Sequence, residues 1–379
     1  MRLDLIVESG GISEKTWNAA LTEAEPQGTI FQSTYWADYL KKNFGDRPLY
    51  LASFDKKGEI QAQLLAFESC YSKHSLFTKS GMKGLLLSRF YKLGLSSLLH
   101  QVLPCIYWEN GPVVRARCPP EQLYDDQVPY RDMVEEITAE AQRRNCYEIK
   151  FARPAFFNDD NEIFSSIGFQ QKRMGTILVN LNQPLEAIWS RVDKDARRTV
   201  RRGIEQGISI APASTLTEFK EFYELNVQTA RRTNTKIYPF SYFVALRNQF
   251  SPLAKIIVLN AHIKERPVAS GLFLLHNGII HFFAIGESDY GRLNKIYGNE
   301  VLLWHIIKWG HEQGFSYFDL SGIELYKIDA RDPKARQISR FKRKWGGEIV
   351  EYHDYRKDLR RRKLVEFLKP FIADSTIHN

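Results

Sequence analysis

The chain has 379 residues, 44% hydrophobic and 13% aromatic, with a formal net charge of +9. That length exceeds one ordinary domain, so two domains of similar size are expected, with cores large enough to exclude general disorder apart from a tail near Asp374–Asn379. The positive balance favours anionic partners, whether a nucleic acid, phosphorylated small molecules or an anionic membrane face.

The four cysteines, Cys70, Cys105, Cys118 and Cys146, form no CxxC pair and read as free thiols in a reducing compartment. The N-terminus lacks the apolar core of a signal peptide, and no apolar run reaches the ~18 residues of a membrane span. The expectation is a soluble cytoplasmic protein.

In chain order, PLYLASFD and IQAQLLAFES flank the turn Lys56–Gly58 and predict a hairpin. CIYWENGPVV (Cys105–Val114) reads as one strand. A helix follows from about Arg131 to Arg144, with Met133, Ile137 and Ala141 on one face, and then the strand CYEIKFAR (Cys146–Arg153). The leucine-rich stretch Gly84–Leu103, interrupted by Arg89, Lys92 and His100, reads as a packed surface helix rather than a membrane-contact helix.

The second half replays the order. Three strands lie between Ala254 and Gly286, broken at KERP and HNG; a helix spans roughly Asn299–Gln313 with Val301, Trp304, Ile306 and Ile307 on or beside one stripe; the strand FSYFDLSG (Phe315–Gly322) follows. AEAQRRNCYEIKFAR and KWGHEQGFSYFDLSG share a helix–turn–strand unit, and IFSSIGFQQKRMGTILVNL and ISRFKRKWGGEIVEYHDY share an ending. This order indicates an internal duplication. It predicts two α+β domains, 1–180 and 181–355, dividing near Leu181–Trp189, with residues 356–379 as a basic tail that packs back on the first.

The joint, WSRVDKDARRTVRRGI (189–204), predicts one helix with Trp189, Val192, Ala196 and Val200 along one side. Arg191, Lys194, Arg197, Arg198, Arg201 and Arg202 crowd the rest, offset by Asp193 and Asp195 alone. Its basic face is either solvated or an anion site.

Several chemistries lack a sequence basis. There is no HExxH or other histidine spacing for a metal, no GxSxG elbow, no GxxxxGK[ST] loop, and no GxGxxG after a strand.

YFDLSGI (Tyr317–Ile323), a short loop, and SRFKRKWGGEIVEYHDY (Ser339–Tyr355) together resemble the end of the Fem-type aminoacyltransferases, which build peptidoglycan cross-bridges. WSRVDKDARRTVRRGIEQGISI is similar to that family's joining stretch, and FQSTYWADYLKK (Phe31–Lys42) and YWENGPV (Tyr107–Val113) to its first-domain signatures. The resemblance runs from about residue 30 to 356. It implies an α+β architecture of two tandem GNAT-like acyltransferase domains, here without the helical-hairpin (coiled-coil) arm of some relatives.

The resemblance further implies site residues. Lys342 matches the family's lysine that stabilises the oxyanion of acyl transfer, and Asp319 or Tyr326 could manage the amine proton. Thr229, Arg231 and Arg232 occupy a place similar to the acceptor-diphosphate residues, and Tyr107 and Lys41 fall in the first-domain acceptor motifs. Arg197, Arg198, Arg201, Arg343 and Lys344 are candidates for the donor's phosphates. Phe341 and Trp345 read as core. The chain departs from the family where Leu40 replaces a lysine, with Lys41 and Lys42 adjacent, and where Asn110 and Arg115 flank the Gly-Pro.

RLNKIYGNE (Arg292–Glu300) stands where ordinary GNAT enzymes carry a [QR]xxGx[GA] pyrophosphate loop, and lacks it. The expected reaction is aminoacyl transfer from aminoacyl-tRNA to an amine on a phosphorylated or nucleotide-linked cell-wall precursor, at the inner face of the membrane or free in the cytoplasm, with no bound cofactor or metal. The alternatives are acyl-CoA-dependent N-acylation of an amino sugar or peptide, and non-catalytic binding of RNA or anionic lipid.

Overall fold

The computed structural model describes residues 2–7, 12–24, 28–70, 104–115, 127–152, 161–235 and 237–359. The stretch Gly84–Leu103, Cys118 and the expected tail beyond residue 359 lie outside them. The chain forms two compact units, residues 1–174 with 351–378, and residues 175–350.

In the first unit, β1 (Arg2–Val7), β2 (Arg47–Phe54), β3 (Ile60–Cys70), β4 (Pro104–Trp108), β6 (Glu148–Ala152) and β13 (Glu348–Asp358) neighbour one another in that order. β4 and β6 are parallel; the other registered pairs are antiparallel. The β2–β3 hairpin turns where expected: Asp55 Oδ1 accepts the amides of Lys57 and Glu59 at 2.8 and 2.9 Å. CIYWENGPVV is not one strand. It breaks after Trp108, and only β5 (Val113–Val114) resumes pairing.

The described helices of this unit are α1 (Glu14–Glu23), α2 (Thr34–Phe44), α3 (Gln127–Arg143) and α4 (Asn161–Ser166). α3 buries Met133, Ile137 and Ala141, the stripe read from sequence, with Val134 beside it. Phe151 anchors the core between Trp108, 4.3 Å away, and Tyr355 at 4.8 Å. Stacked aromatics of this kind add to the burial term.

The second unit has strand order β7 (Gln170–Asn180), β12 (Tyr317–Ile323), β11 (Ile279–Glu287), β10 (Arg266–His276), β9 (Ile256–Ile263), β8 (Ser209–Pro212). The turns Lys264–Glu265 and Asn277–Gly278 take positive φ at all four positions, the backbone of two-residue hairpins. Helices α5 (Leu185–Arg191), α6 (Lys194–Glu205), α7 (Leu216–Thr233), α8 (Phe240–Phe250), α9 (Asp289–Leu293), α10 (Gly298–Glu312), α11 (Leu325–Asp329) and α12 (Pro333–Arg343) complete it.

The duplication is visible as α3–β6–α4–β7 against α10–β12–α12–β13. The closing strands are exchanged. β7 ends the first half but pairs with β12, and β13 ends the second half but pairs with β6. The chain therefore passes between units within these two strands, at 174/175 and 350/351.

One expected element is corrected. Residues 189–204 form two helices, because Val192 is extended and Asp193 caps α6 by accepting the amides of Asp195 at 2.8 Å and Ala196 at 3.4 Å. Of the expected stripe, Val192, Ala196 and Val200 are buried across the break, while Trp189 is only half-buried and its neighbour Ile188 takes the core position.

Candidate active site

The parallel pairing of β11 and β12 covers Ile279–Tyr317, Ile280–Phe318 and His281–Asp319. It stops there although both strands continue. On its other side β12 bulges: Asp319 faces Leu178 and Gly322 faces Thr176, so one extra residue sits on β12. Ser321 takes φ +65°, an unusual conformation outside glycine, and its hydroxyl donates to the Phe282 carbonyl. The end of β12 thereby leaves its registered pairing with β11 while staying paired with β7, and the Gly322 carbonyl accepts from Lys342 Nζ at 2.9 Å.

Lys342 projects from α12, whose N-terminus is capped by Asp332 at the Ala335 amide (2.7 Å) and opened by Pro333. Ala335, Ser339 and Lys342 make the buried stripe of this helix at i, i+4, i+7. Lys342 is 8% exposed. Burial lowers its ammonium to about 8, while the Asp319 charge pulls the other way. At pH 7 it is therefore mostly charged, with a neutral fraction of roughly a tenth.

The rest of the motif is an anchor. Trp345 is fully buried in the core. A Cβ on Gly346 would lie 2.8 Å from the Arg191 backbone, and one on Gly347 2.7 Å from Ile177 Cγ2. The two glycines thus let the chain after α12 press against α5 and β7.

Asp319 is held by partners that the sequence did not single out. Burial opposes its ionisation, yet the bond and charge of His281, the Thr176 hydroxyl and the Ser321 amide together bring its carboxyl below the ordinary value. His281 Nδ1 lies 3.3 Å from Asp319 Oδ2, the Ser321 amide donates to Oδ1 at 2.8 Å, and Thr176 donates to the same oxygen. Residues from β7, β11 and β12 thus fix one carboxylate near the Lys342 ammonium. Only the strand register brings Thr176 and His281 to Asp319; no local motif marks them.

The other expected site residues scatter. Tyr326, on α11 just beyond β12, donates its hydroxyl to Glu324 at 2.9 Å. Thr229 and Arg232 lie in the last turn of α7. Thr229 Oγ1 accepts the Glu287 amide at 2.8 Å, and Arg232 bridges Asp289 at 2.8 Å and Glu287 at 3.2 Å. Arg232 is already neutralised, while Arg231 beside it is exposed.

In the first unit Tyr107 is buried and donates to Asp46 at 2.9 Å; burial, then Asp46, pushes its phenol well up. Lys41 is exposed, and Leu40 is core. The two first-domain motifs meet as a structural joint, with Gln32 Nε2 donating to the Glu109 carbonyl at 2.7 Å and to the Leu65 carbonyl at 3.1 Å.

Among the expected donor-binding cations, Arg197 donates to the Ser190 carbonyl at 3.1 Å, Arg198 pairs with Asp195 at 3.1 Å, and Arg201 lies over the Trp189 ring at 5.7 Å. Lys344 is half-buried on Glu300 at 2.8 Å. Arg343 is exposed.

Where a pyrophosphate loop would stand, β11 leads through α9 into α10. Glu300 occupies the first turn of α10 and sits on Lys344, so a carboxylate already complements that helix end. Gly298 serves packing, since a Cβ there would approach Ala269 Cβ to 2.9 Å. A cleft of about 310 Å³ lies apart from the Lys342 centre, with Glu221, Glu224 and Asp289 among its walls. Three carboxylates against the single Arg266, which lies over Tyr290, make its lining net acidic. No cluster of three or more metal-ligating side chains occurs among the described residues. No described helix is long and apolar enough to cross a membrane.

Residues 190–343 match the family described as Acetyltransferase (GNAT) domain. FemX superposes with TM-score 0.68 at 14% identity, covering 93% of this chain and 97% of that one. The C-terminal domain of a putative lysylphosphatidylglycerol synthetase from Agrobacterium fabrum gives 0.53 at 11% identity, with 91% of each chain covered. L-PGS from Bacillus licheniformis gives 0.50 at 12%, covering 90% of this chain and 97% of that one. No curated protein matches the chain in sequence. At these identities the likeness is one of fold. Residues 190–343 thus match a GNAT acetyltransferase domain, and the chain as a whole shares the fold of FemX.

Proposed function

We propose that the protein transfers an aminoacyl group from aminoacyl-tRNA to an amine on a cell-wall precursor or a related phosphorylated acceptor. The observation that carries this reading is the Lys342 ammonium, buried on the Gly322 carbonyl near the end of β12 beside a fixed Asp319 carboxylate. Attack of the acceptor amine on the aminoacyl ester builds negative charge on the former carbonyl oxygen. A desolvated ammonium stabilises that charge far better than a solvated one. Its bond to the Gly322 carbonyl fixes it beside the point where β11 and β12 stop pairing.

An amine acceptor arrives largely as ammonium and must shed two protons to become an amide nitrogen. One leaves with the ester oxygen, and the other passes to a base. Asp319, ionised and linked to His281, is assigned to relay it: its carboxyl, held below the ordinary value, passes the proton on rather than keeping it. Tyr326 remains the other candidate for handling that proton; Thr229 and Arg231 are assigned to the acceptor, with Arg232 positioning Thr229 rather than gripping phosphate. Tyr107 and Lys41 are assigned to the acceptor only through the family resemblance.

The donor assignment rests on Glu300 at the start of α10, where a CoA pyrophosphate would meet a carboxylate. The GNAT family match of residues 190–343 supports the second reading, an acyl-CoA donor. Turnover of purified protein on labelled aminoacyl-tRNA pools and on acyl-CoAs, with a cell-wall precursor extract as acceptor, separates them. Label transfer from tRNA alone is expected. Transfer from acyl-CoA alone replaces the first reading with the second.

A further inference from the structure

The helix that carries Lys342 inward has a second stripe. Arg336, Arg340 and Arg343 are exposed and stand at i, i+4, i+7, one residue out of step with buried Ala335, Ser339 and Lys342. The offset of one residue places the arginine row about 100° around the helix from the buried row, and the row spans roughly 10 Å along the axis. Among the described residues none of the three arginine side chains makes an ion pair, hydrogen bond or ring contact. The helix sequence, PKARQISRFKR, contains no carboxylate.

Single exposed arginines without a partner occur elsewhere, at Arg231, Arg292 and Arg331, but the arginine-rich helices α3 and α6 match theirs. On α3, Arg131 pairs with Glu135 and Arg143 with Glu136 and Glu140. On α6, Arg198 pairs with Asp195, Arg201 covers Trp189, and Arg202 covers Tyr297 at 5.5 Å. Three unpaired guanidinium groups in a row are a ladder for successive phosphates. Arginine's fork suits a phosphodiester backbone.

We infer that the Arg336–Arg340–Arg343 stripe guides a single-stranded RNA end along α12, delivering its terminal ester to Lys342. The inference rests on the aminoacyl-tRNA reading of the same site. It replaces α6 as the main phosphate contact: α6 spends its arginines on carbonyls of α5, its own acid and two rings, whereas α12 leaves its row open.

The test measures binding of the full chain to a short single-stranded RNA over a salt series. A triple variant, Arg336→Gln, Arg340→Gln, Arg343→Gln, is compared with Arg198→Gln, Arg201→Gln, Arg202→Gln on α6. Each phosphate contact on a single strand contributes about 0.7 to the slope of log K against log salt, so the α12 variant should lose about 2 from the slope and the α6 variant much less. All six side chains are exposed, so an unchanged melting temperature in both variants is expected to accompany this. An unchanged slope in the α12 variant, or the larger loss in the α6 variant, overturns the stripe while leaving the transferase reading intact. A wild-type chain that binds no RNA even at low salt removes the donor reading itself. Phosphatidylglycerol vesicles form the second arm: loss of vesicle binding with RNA binding intact in the α12 variant overturns the proposal in favour of a lipid surface.

Discussion

α6 and α12 are both short, basic and part of the second unit, and from sequence they invite the same reading. Their cations have different neighbours. On α6 the break at Asp193 turns Arg197 back onto carbonyls of α5, and Arg201 and Arg202 lie over Trp189 and Tyr297. On α12 one lysine is buried and three arginines are left unmatched, with like charges at i, i+4 and i, i+3 costing a few tenths of a kcal/mol each. Charge density alone does not mark a site. What marks it is charge that the fold leaves without a partner, beside a charge that the fold has buried.

The sharpest way to break this comparison is at Lys342. Lys342→Ala is expected to lower kcat by on the order of a hundredfold or more, ~2.7 kcal/mol, with KM little changed, because the ammonium acts on charge that appears only in the transition state. Lys342→Arg should restore a minor part, since a guanidinium cannot occupy the ammonium's place on the Gly322 carbonyl. Arg343→Ala should move KM and leave kcat. Equal, mild effects at both positions would erase the distinction between buried and exposed cations on α12.

The next effect is on the seat of α12. Gly346 has φ +78° and no room for a Cβ beside Arg191. Gly346→Ala should cost about 2–3 kcal/mol of stability by chemical denaturation. A neutral result would mean that the motif's glycines do not hold the helix.

A third prediction runs in the opposite direction. Lys342 titrates at about 8 in the folded protein, below the ~10.4 of an unfolded lysine, so its ammonium is disfavoured by folding. That cost is fully present below pH 8 and fades as pH rises towards ~10.4. Lys342→Met should therefore be inactive yet more stable at pH 7, by on the order of 1–3 kcal/mol, with the advantage shrinking above pH 8 in melts taken across that range. A variant less stable than wild type at pH 7 would show that the lysine is structural. The smallest effect belongs to α6, where Arg198→Gln, at an exposed pair, should change stability by less than about 0.5 kcal/mol.

Much of the fold was legible in the sequence because it is written locally. The stripe of Met133, Ile137 and Ala141, the turn after Asp55 and the repeated helix–strand order all rest on residues near one another in the chain. The exchange of β7 and β13 was not legible, because strand pairing depends on register between segments far apart. The first-domain motifs read as acceptor signatures, and Gln32 joins them as structure. At the site, Lys342 and Asp319 could be named from their motifs, but His281 and Thr176 could not. They reach Asp319 only through the pairing of β11, β12 and β7. Lys344 and Arg232 read as phosphate contacts for donor and acceptor, and the fold matches them to Glu300, Glu287 and Asp289.

The central claim, that a buried ammonium tuned by Asp319 performs the transfer, is tested most directly by kcat against pH in wild type and Asp319→Asn. Wild-type kcat should fall on the alkaline side near pH 8, where Lys342 loses its proton. Asp319 raises the lysine's value, so in Asp319→Asn that limb should move to lower pH, over and above any uniform loss of rate. An alkaline limb that stays in place in the variant, or that is absent near pH 8 in wild type, would contradict the account.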